Sequence, residues 1–423
     1  MRQKRIALCW LNEDNLGDVV IRDCVVWLMD RCASESRCPV DIVPVDIGGR
    51  AGRPGCGGSR GRRRRLGIRK RLARVARALS ALPFLRRPVC AIADAILMAI
   101  WRRSARYRAF AAAERERLLG VDAILFAGGG LVKFKRQDFN YMLFDITEFA
   151  DSKDIPVFIN ATGVEGFDPR DPECHLLCVA LNRRCVKSIT TRDDLELLSR
   201  AYVWRDGIEM SRVCDPALWA REAYGIDRCD SAADAIGVNV VRLDLFAAYG
   251  VALGAKELLR LYVELVRELV GRGCRVVLFT NGSGRDAQSL EEVAASCRAC
   301  LPDGTVRTAC PGSPQELVAL IAGFSRFIAV RLHASIIGVS LGIPNVSMIW
   351  NRKQSLFGRQ IGMEENFLSV GKFDAMTVLS ALDSAKSCAV DAGYKDSVCR
   401  SLERTVRTLS MSREGIYETG SVQ

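Results

Sequence analysis

Apolar positions follow two alternating rhythms along the chain. Short, mostly apolar runs occupy residues 6–11, 40–45, 123–127, 156–160, 187–191, 236–241, 276–279, 327–330 and 346–349. Longer stretches between them carry apolar residues three and four apart, as in 19–32 and in 256–270 with Leu258, Leu259, Tyr262, Val263, Leu265, Val266 and Leu269. The first pattern predicts buried strands and the second predicts amphipathic helices. Their alternation predicts parallel sheets with helices on both faces. Two stretches interrupt the rhythm. Residues 48–59 are rich in Gly and Arg and read as a linker, and 220–235, after Asp215-Pro216, read as a polar connector.

The expected fold class is therefore α/β, with two doubly wound Rossmann-like halves. The first half takes residues 1–215 and the second 216–375, with 376–423 as a C-terminal helical tail. Residues 48–119 read as a basic helical insertion in the first half. There 62–81 and 89–101 have helical spacing, and Pro83 and Pro88 break the chain between them.

The formal net charge of +12 is informative once it is located. Residues 50–117 hold 19 Arg and one Lys against three acidic residues, so this segment carries +17 and the remainder −5. Basicity confined to one segment argues against a nucleic-acid role for the whole chain. It allows residues 50–117 to contact an anionic membrane surface, at about 1 kcal/mol for each basic residue near it. The alternative is a solvated charged helix whose apolar face packs on the domain. No apolar run spans a bilayer, residues 6–11 are too short for a signal-peptide core, and the 17 cysteines form no regular framework. Reduced thiols in the cytoplasm are the expectation, with peripheral attachment to the inner face of the plasma membrane if the basic segment serves that end.

The loops that follow strands collect the candidate chemistry. Residues 327–330 read as a buried strand that stops at Arg331 and opens into a helix at His333, one of two histidines. Gly342 and Pro344 close that helix. A helix start favours an anion, and arginine adds a planar fork for carboxylate or phosphate. A satisfied histidine at a helix start is the competing reading. Asn15-Leu16-Gly17-Asp18 lies between the first strand and the first helix, with Asp18 as either N-cap or cleft-facing acid. Gly128, Gly129 and Gly130 lack both the dinucleotide and the phosphate-loop signatures, leaving main-chain contact with a ligand or a tight turn. Arg192-Asp193 ends another strand. Lys353 follows the next strand after His333, and Trp350 offers a face for a sugar. Cys297 and Cys300 have a two-residue gap but no second pair at zinc-finger spacing, and Cys174 with His175, Cys178 and Cys185 offers a metal cluster on paper; buried thiols and no metal are the expectation for both.

The order and spacing of Asn15-x-Gly17-Asp18-x-x-Ile21, Gly128-Gly129-Gly130-Leu131, Thr191-Arg192-Asp193, Asp215-Pro216-Ala217, Arg331-Leu332-His333-Ala334, Gly342-Ile343-Pro344 and Lys353 with Phe357 resemble the polysaccharide pyruvyl transferase family. The resemblance covers residues 1–47 and 120–375; the arginine-rich segment and His175 lie outside it. It implies a GT-B-like fold and transfer of a pyruvyl group from phosphoenolpyruvate to two hydroxyls of a sugar, oligosaccharide or lipid-linked glycan. A cyclic ketal forms, phosphate leaves, and no further cofactor is required. In that scheme His333 is the general acid/base and Asp18 orients the acceptor. Arg192 and Lys353 steady the departing phosphate while Arg331 holds the carboxylate, or Arg331 and Arg192 exchange these roles. Asn15, Trp350 and the three glycines complete the substrate surroundings. Two rivals stand beside it: a GT-B-type glycosyltransferase using a nucleotide sugar, and a non-catalytic scaffold with a basic membrane-binding arm.

Overall fold

The computed structural model describes residues 3–10, 15–47, 74–75, 78–79, 83–133, 138–228, 235–282, 284–387 and 389–411. The linker read at 48–59 and nearly all of the helix read at 62–81 lie outside the described residues. The chain divides into two compact units: Met1–Asn12, Val25–Cys214 and Asp396–Gln423 form the first, and Glu13–Cys24 with Asp215–Lys395 form the second. The stretch 376–423, expected as a tail of its own, is thus shared between them. Helices of nine residues or more are numbered below.

The first unit is built on β1 (Lys4–Trp10), β2 (Val40–Asp46), β3 (Ala123–Ala127), β4 (Val132–Lys133), β5 (Val157–Thr162), β6 (Val164–Glu165), β7 (Val186–Thr191) and β8 (Glu209–Arg212). Its main sheet has the order β2-β1-β3-β5-β7-β8, and every pairing in it is parallel. All five residues of β3 are buried, as a strand covered on both faces requires. Pro44 sits in the edge strand β2, where a missing N–H is tolerated. The helices are α1 (Leu16–Glu35), whose residues up to Cys24 belong to the second unit, α2 (Pro83–Arg102), α3 (Ala105–Ala113), α4 (Asp138–Ser152) and α5 (Pro172–Leu181).

The expected basic insertion is, in its described part, a portion of this unit's core. Helix α2 runs through Pro88 rather than stopping there. Leu97, Met98 and Trp101 join Tyr107 and Phe110 of α3 in the first hydrophobic cluster. Trp101 stacks on Tyr141 at a centroid distance of 5.5 Å. Arg102, Arg103 and Arg108 remain exposed. Charge counted along the sequence hides this arrangement, because the arginines occupy the turns that the apolar stripe leaves to water.

The second unit contains β9 (Ala235–Asn239), β10 (Arg275–Phe279), β11 (Val306–Ala309), β12 (Arg326–Ala329), β13 (Asn345–Met348) and β14 (Phe367–Leu368). Its helices are α6 (Ala255–Gly271), α7 (Gly284–Arg298), α8 (Pro314–Ala322), α9 (Leu332–Ser340), α10 (Arg352–Gln360) and α11 (Ala375–Ser384). The all-parallel order is β11-β10-β9-β12-β13-β14. Strands after β9 are first added on one side and then, from β12, on the other. The crevice between the carboxyl ends of β9 and β12 is therefore a topological switch point, where open sheets bind ligands. Gly342 follows α9 with φ +68°, and the Ile343 amide reaches the Gly338 carbonyl at 2.8 Å. This is the glycine stop expected from the sequence.

The last helix, α12 (Ser397–Met411), returns to the first unit. Val398, Leu402, Val406 and Leu409 are buried along one face, and the Asn160 amide at the end of β5 donates to Ser401 Oγ at 3.2 Å. An apolar stripe at helical spacing has to be buried somewhere, which is why this segment is not a free tail.

Trp101→Ala is expected to lower unfolding free energy by about 3–5 kcal/mol, as for other buried aromatics. Urea denaturation reads this directly. An unchanged midpoint would mean that α2 contributes nothing to the core.

Candidate active site

Buried polar side chains hold the strand ends of the second unit together. Asn239, at the end of β9, is fully buried. Its Oδ1 accepts the amides of Arg331 at 2.8 Å and Val330 at 3.3 Å. Its Nδ2 donates to the Phe279 carbonyl at 3.3 Å and to Asn281 Oδ1 at 3.1 Å. One side chain thus ties the carboxyl ends of β9, β10 and β12. The Asn281 carbonyl in turn accepts the Leu16 amide at 2.9 Å, which fixes the start of α1.

Arg331 is the N-cap of α9, but its guanidinium is not an open anion fork. Nε and Nη2 donate to the two oxygens of Asp286, each at 2.8 Å. Asp286 is fully buried at the start of α7 and also accepts the Arg242 amide at 2.9 Å. The expected role of Arg331 as the carboxylate clamp is corrected accordingly. A buried carboxylate 45 positions upstream demands a cation, and Arg331 supplies it.

His333 sits in the first turn of α9, buried between two carboxylates. Its Nδ1 lies 4.0 Å from Asp18 Oδ1, and its Nε2 lies 3.8 Å from Asp215 Oδ2. Each ring nitrogen therefore has a carboxylate oxygen within about 4 Å. Asn15, expected at the substrate, caps the first helix instead. Its Oδ1 accepts the Gly17 amide at 3.2 Å, and its Nδ2 donates to Asp18 Oδ2 at 3.2 Å. This leaves Asp18 Oδ1 on the side of the imidazole, 4.0 Å from Nδ1. Gly17 is where α1 and α9 approach: a Cβ there would lie 2.4 Å from the His333 Cβ. Asp215 Oδ1 caps the turn Pro216–Trp219 through the Ala217 amide at 2.9 Å. The sequence presents Asp215 as a boundary. Only the fold turns its second oxygen towards His333.

The remaining candidates separate. Lys353 is half-buried in the first turn of α10, whose N-cap is Asn351. Trp350 is partly buried, its indole N–H bonded to the Val330 carbonyl at 2.8 Å and its ring edge-on to Tyr249. Gln354 donates to the same carbonyl at 2.9 Å, so the loops after β12 and β13 share one anchor. Arg192 and the three glycines belong to the first unit, not to the unit of His333. Gly128 and Gly129 have φ of +56° and +74°. The Gly128 amide donates to the Asn160 carbonyl at 2.8 Å and the Gly129 carbonyl accepts the Gly163 amide at 2.7 Å. These two glycines are required by a tight turn, and those groups are not offered to a ligand. Arg192 is buried after β7, and its amide donates to the Thr162 carbonyl at 3.2 Å.

The cysteines show a similar contrast with their sequence spacing. Cys174 Sγ accepts the Asp168 amide, and burial pushes its thiol up to about 12. His175 pairs with Asp94 rather than with a cysteine. Among the described residues, Cys32, Cys399 and Glu403 of the first unit instead come within ligand distance of one another. Their separation along the chain hides that grouping.

Two doubly wound parallel sheets, one with a histidine–carboxylate cluster at its strand ends, define an α/β protein of the GT-B-like class. The polysaccharide pyruvyl transferase model matches residues 54–352, well over half of the chain, and the chain belongs to that family. The match includes much of the arginine-rich segment that the motif resemblance leaves out, in keeping with the place of α2 in the core. It begins after Asp18 and ends one residue before Lys353.

Solved structures of similar fold include the UDP-GlcNAc 2-epimerase from Methanocaldococcus jannaschii, with a TM-score of 0.55, 11% identity, and 96% of this chain and 99% of that chain covered. They also include the UDP-GlcNAc 2-epimerase from Neisseria meningitidis bound to UDP-GlcNAc, with a TM-score of 0.52, 8% identity, and 96% and 99% covered. The UDP-N-acetylglucosamine 2-epimerase from Rickettsia bellii has a TM-score of 0.51, 11% identity, and 97% of each chain covered. At these identities the likeness concerns the fold alone. No curated protein sequence matches the chain.

Gly17→Ala is expected to destabilise the protein by about 1–3 kcal/mol through overpacking against His333. An unchanged thermal midpoint would remove the close approach from the account. Asp286→Asn strips Arg331 of its charge partner and should cost roughly 3–5 kcal/mol, the usual penalty for breaking a buried pair. Chemical denaturation of the purified variant measures it, and a loss below 1 kcal/mol would refute the pairing.

Proposed function

We propose that this member of the family transfers the pyruvyl group of phosphoenolpyruvate to two hydroxyls of a sugar in polysaccharide or glycolipid biosynthesis. The observation that carries the reading is His333, buried between Asp18 and Asp215 at a helix start beside the switch point. The methylene carbon of the donor gains a proton as one sugar hydroxyl adds to the neighbouring carbon. The C–O bond to phosphate then breaks and the second hydroxyl closes the ketal. Two hydroxyl protons are released, one ending on the new methyl group and one leaving with phosphate. His333 supplies and collects protons, because an imidazole exchanges them near neutral pH. Asp18 and Asp215 hold the ring and accept the transient charge.

The donor is trianionic, so its site needs cations and helix-start amides. Lys353 in the first turn of α10 and the amides at the start of α9 are assigned to it. Arg331 positions His333 through Asp286 and is no longer assigned to the donor carboxylate. Trp350 borders the acceptor, which is a sugar, an oligosaccharide or a lipid-linked glycan. No further cofactor enters the scheme.

Peripheral attachment to an anionic membrane face in the cytoplasm belongs to the same reading. It is supported by the charge of residues 50–117 and by Ile92 and Ile96, which are 62% and 40% exposed on α2. Among the described residues, no helix is long and apolar enough to cross a membrane.

His333→Ala is expected to lose turnover by about 10²–10⁴-fold, the usual worth of general acid/base catalysis, while phosphoenolpyruvate still binds. Calorimetric titration with phosphoenolpyruvate and with a panel of nucleotide sugars, beside a phosphate-release assay, reads both. Near wild-type turnover in the variant would sink the assignment. A nucleotide sugar bound in place of phosphoenolpyruvate would select the glycosyltransferase instead.

A further inference from the structure

Helix α12 meets α1 at a cluster of side chains that the transfer chemistry does not use. Cys32 lies in the part of α1 that belongs to the first unit, and Cys399 and Glu403 lie on α12 of the same unit. Four positions apart on a helix, these last two share one face. Both cysteines are buried and Glu403 is half-buried. Cys32 Sγ lies 3.7 Å from Cys399 Sγ, and Cys399 Sγ lies 3.6 Å from Glu403 Oε1. A sulfur from each cysteine and a carboxylate oxygen all fall within 4.8 Å of one another.

Those separations match the ones a tetrahedral ion imposes. With Zn–S of about 2.3 Å and Zn–O of about 2.0 Å, two sulfurs stand about 3.8 Å apart, and a sulfur and an oxygen about 3.5 Å. Other buried thiols of this unit are used differently. Cys178 and Cys185 reach the carbonyls of Ala201 and Thr147, at 3.6 Å and 3.4 Å. The donor set selects the ion. Magnesium and calcium take oxygen ligands, which two sulfurs do not supply. Copper(I) prefers soft sulfur throughout, which the carboxylate does not supply. Zinc accepts both donor types and a tetrahedral arrangement. Two thiolates and a carboxylate exceed its charge by one, and Arg31 lies near enough to Cys399 for their charges to interact.

We infer that Cys32, Cys399 and Glu403 bind a zinc ion, with water as the fourth ligand, and that the ion pins the last helix to α1. On binding, the two S–H bonds break, two Zn–S bonds form and both protons pass to solvent. The site is apart from His333 and its carboxylates, so its occupancy does not depend on the reading of pyruvyl transfer.

The test is metal analysis of the full chain purified under reducing conditions, followed by chelation and titration with zinc or cobalt(II). Stoichiometric zinc is expected. Cobalt should give the d–d bands of a tetrahedral ion together with a thiolate charge-transfer band. Glu403→Gln, at a half-buried position, should keep the fold by circular dichroism and weaken zinc binding at least about tenfold, since losing even an outer partner of a ligand costs that much. Cys399→Ser should lose the thiolate band, whereas Cys300→Ser, an exposed cysteine of the second unit, should keep it. Zinc should raise the thermal midpoint of the wild type by several degrees and leave that of Cys399→Ser unmoved. No zinc uptake by the reduced chain at micromolar free zinc, cobalt spectra without tetrahedral bands, or equal zinc affinity in the wild type, Glu403→Gln and Cys399→Ser overturns the inference. A reduced chain that ignores zinc but forms a Cys32–Cys399 disulfide with diamide also overturns it, and assigns the pair to thiol oxidation instead.

Discussion

Parallel strands end with amides and carbonyls that no neighbouring strand can satisfy, and in the second unit that need is met by one buried side chain. Asn239 accepts from the Val330 and Arg331 amides and donates towards the ends of β10. Satisfying all of these groups inside a dry interior leaves little freedom in where β12 stops. The position of Arg331 follows, and His333 lies two residues later. Asp286 then secures the side chain of Arg331, and the capped start of α1 brings Asp18 to one side of the ring. A buried hydrogen-bonded network at the strand ends holds the start of α9, and His333 with it, more rigidly than a loop can.

Much of the architecture was legible because it rests on local pattern. Runs such as residues 123–127 and 327–330 have no polar residue to place at a surface, and their strands stand within a residue of expectation. The glycine stop after α9 was equally readable. The edge strands β8, β11 and β14 were not: Glu209–Arg212 and Val306–Ala309 are mixed in polarity, and Phe367–Leu368 is very short. An edge strand with one neighbour needs little apolar surface, so it leaves little pattern to read.

The sequence placed His333 and Asp18 at loop ends that the fold brings within 4.0 Å of each other, but it did not show that the guanidinium of Arg331 is engaged. An arginine beside a strand end looks the same whether it awaits an anion or already holds one. What distinguishes the two cases is Asp286, on another helix and far away in sequence. Asp215 and Asn239 were missed for the same reason, since a boundary aspartate and a strand-end asparagine acquire their roles only from what folds against them. The insertion misled in the opposite direction. Nineteen arginines dominate its composition, yet Leu97, Met98 and Trp101 determine where α2 goes.

The return of α12 to the first unit also bears on how the protein is made. β5 forms from residues near the middle of the chain, but its Asn160 waits for Ser401, and the Cys32 thiol waits for Cys399 at 3.7 Å. A ribosome emits the whole of Asp215–Lys395 before these partners exist. The second unit can therefore condense during translation, apart from the few residues it takes from α1, while the first carries an uncovered apolar face. Contacts that close across 367 residues form slowly, and an exposed half-finished core is vulnerable to aggregation. Chain synthesis is thus the stage at which this fold most needs protection, and the last helix is the part that ends the exposure.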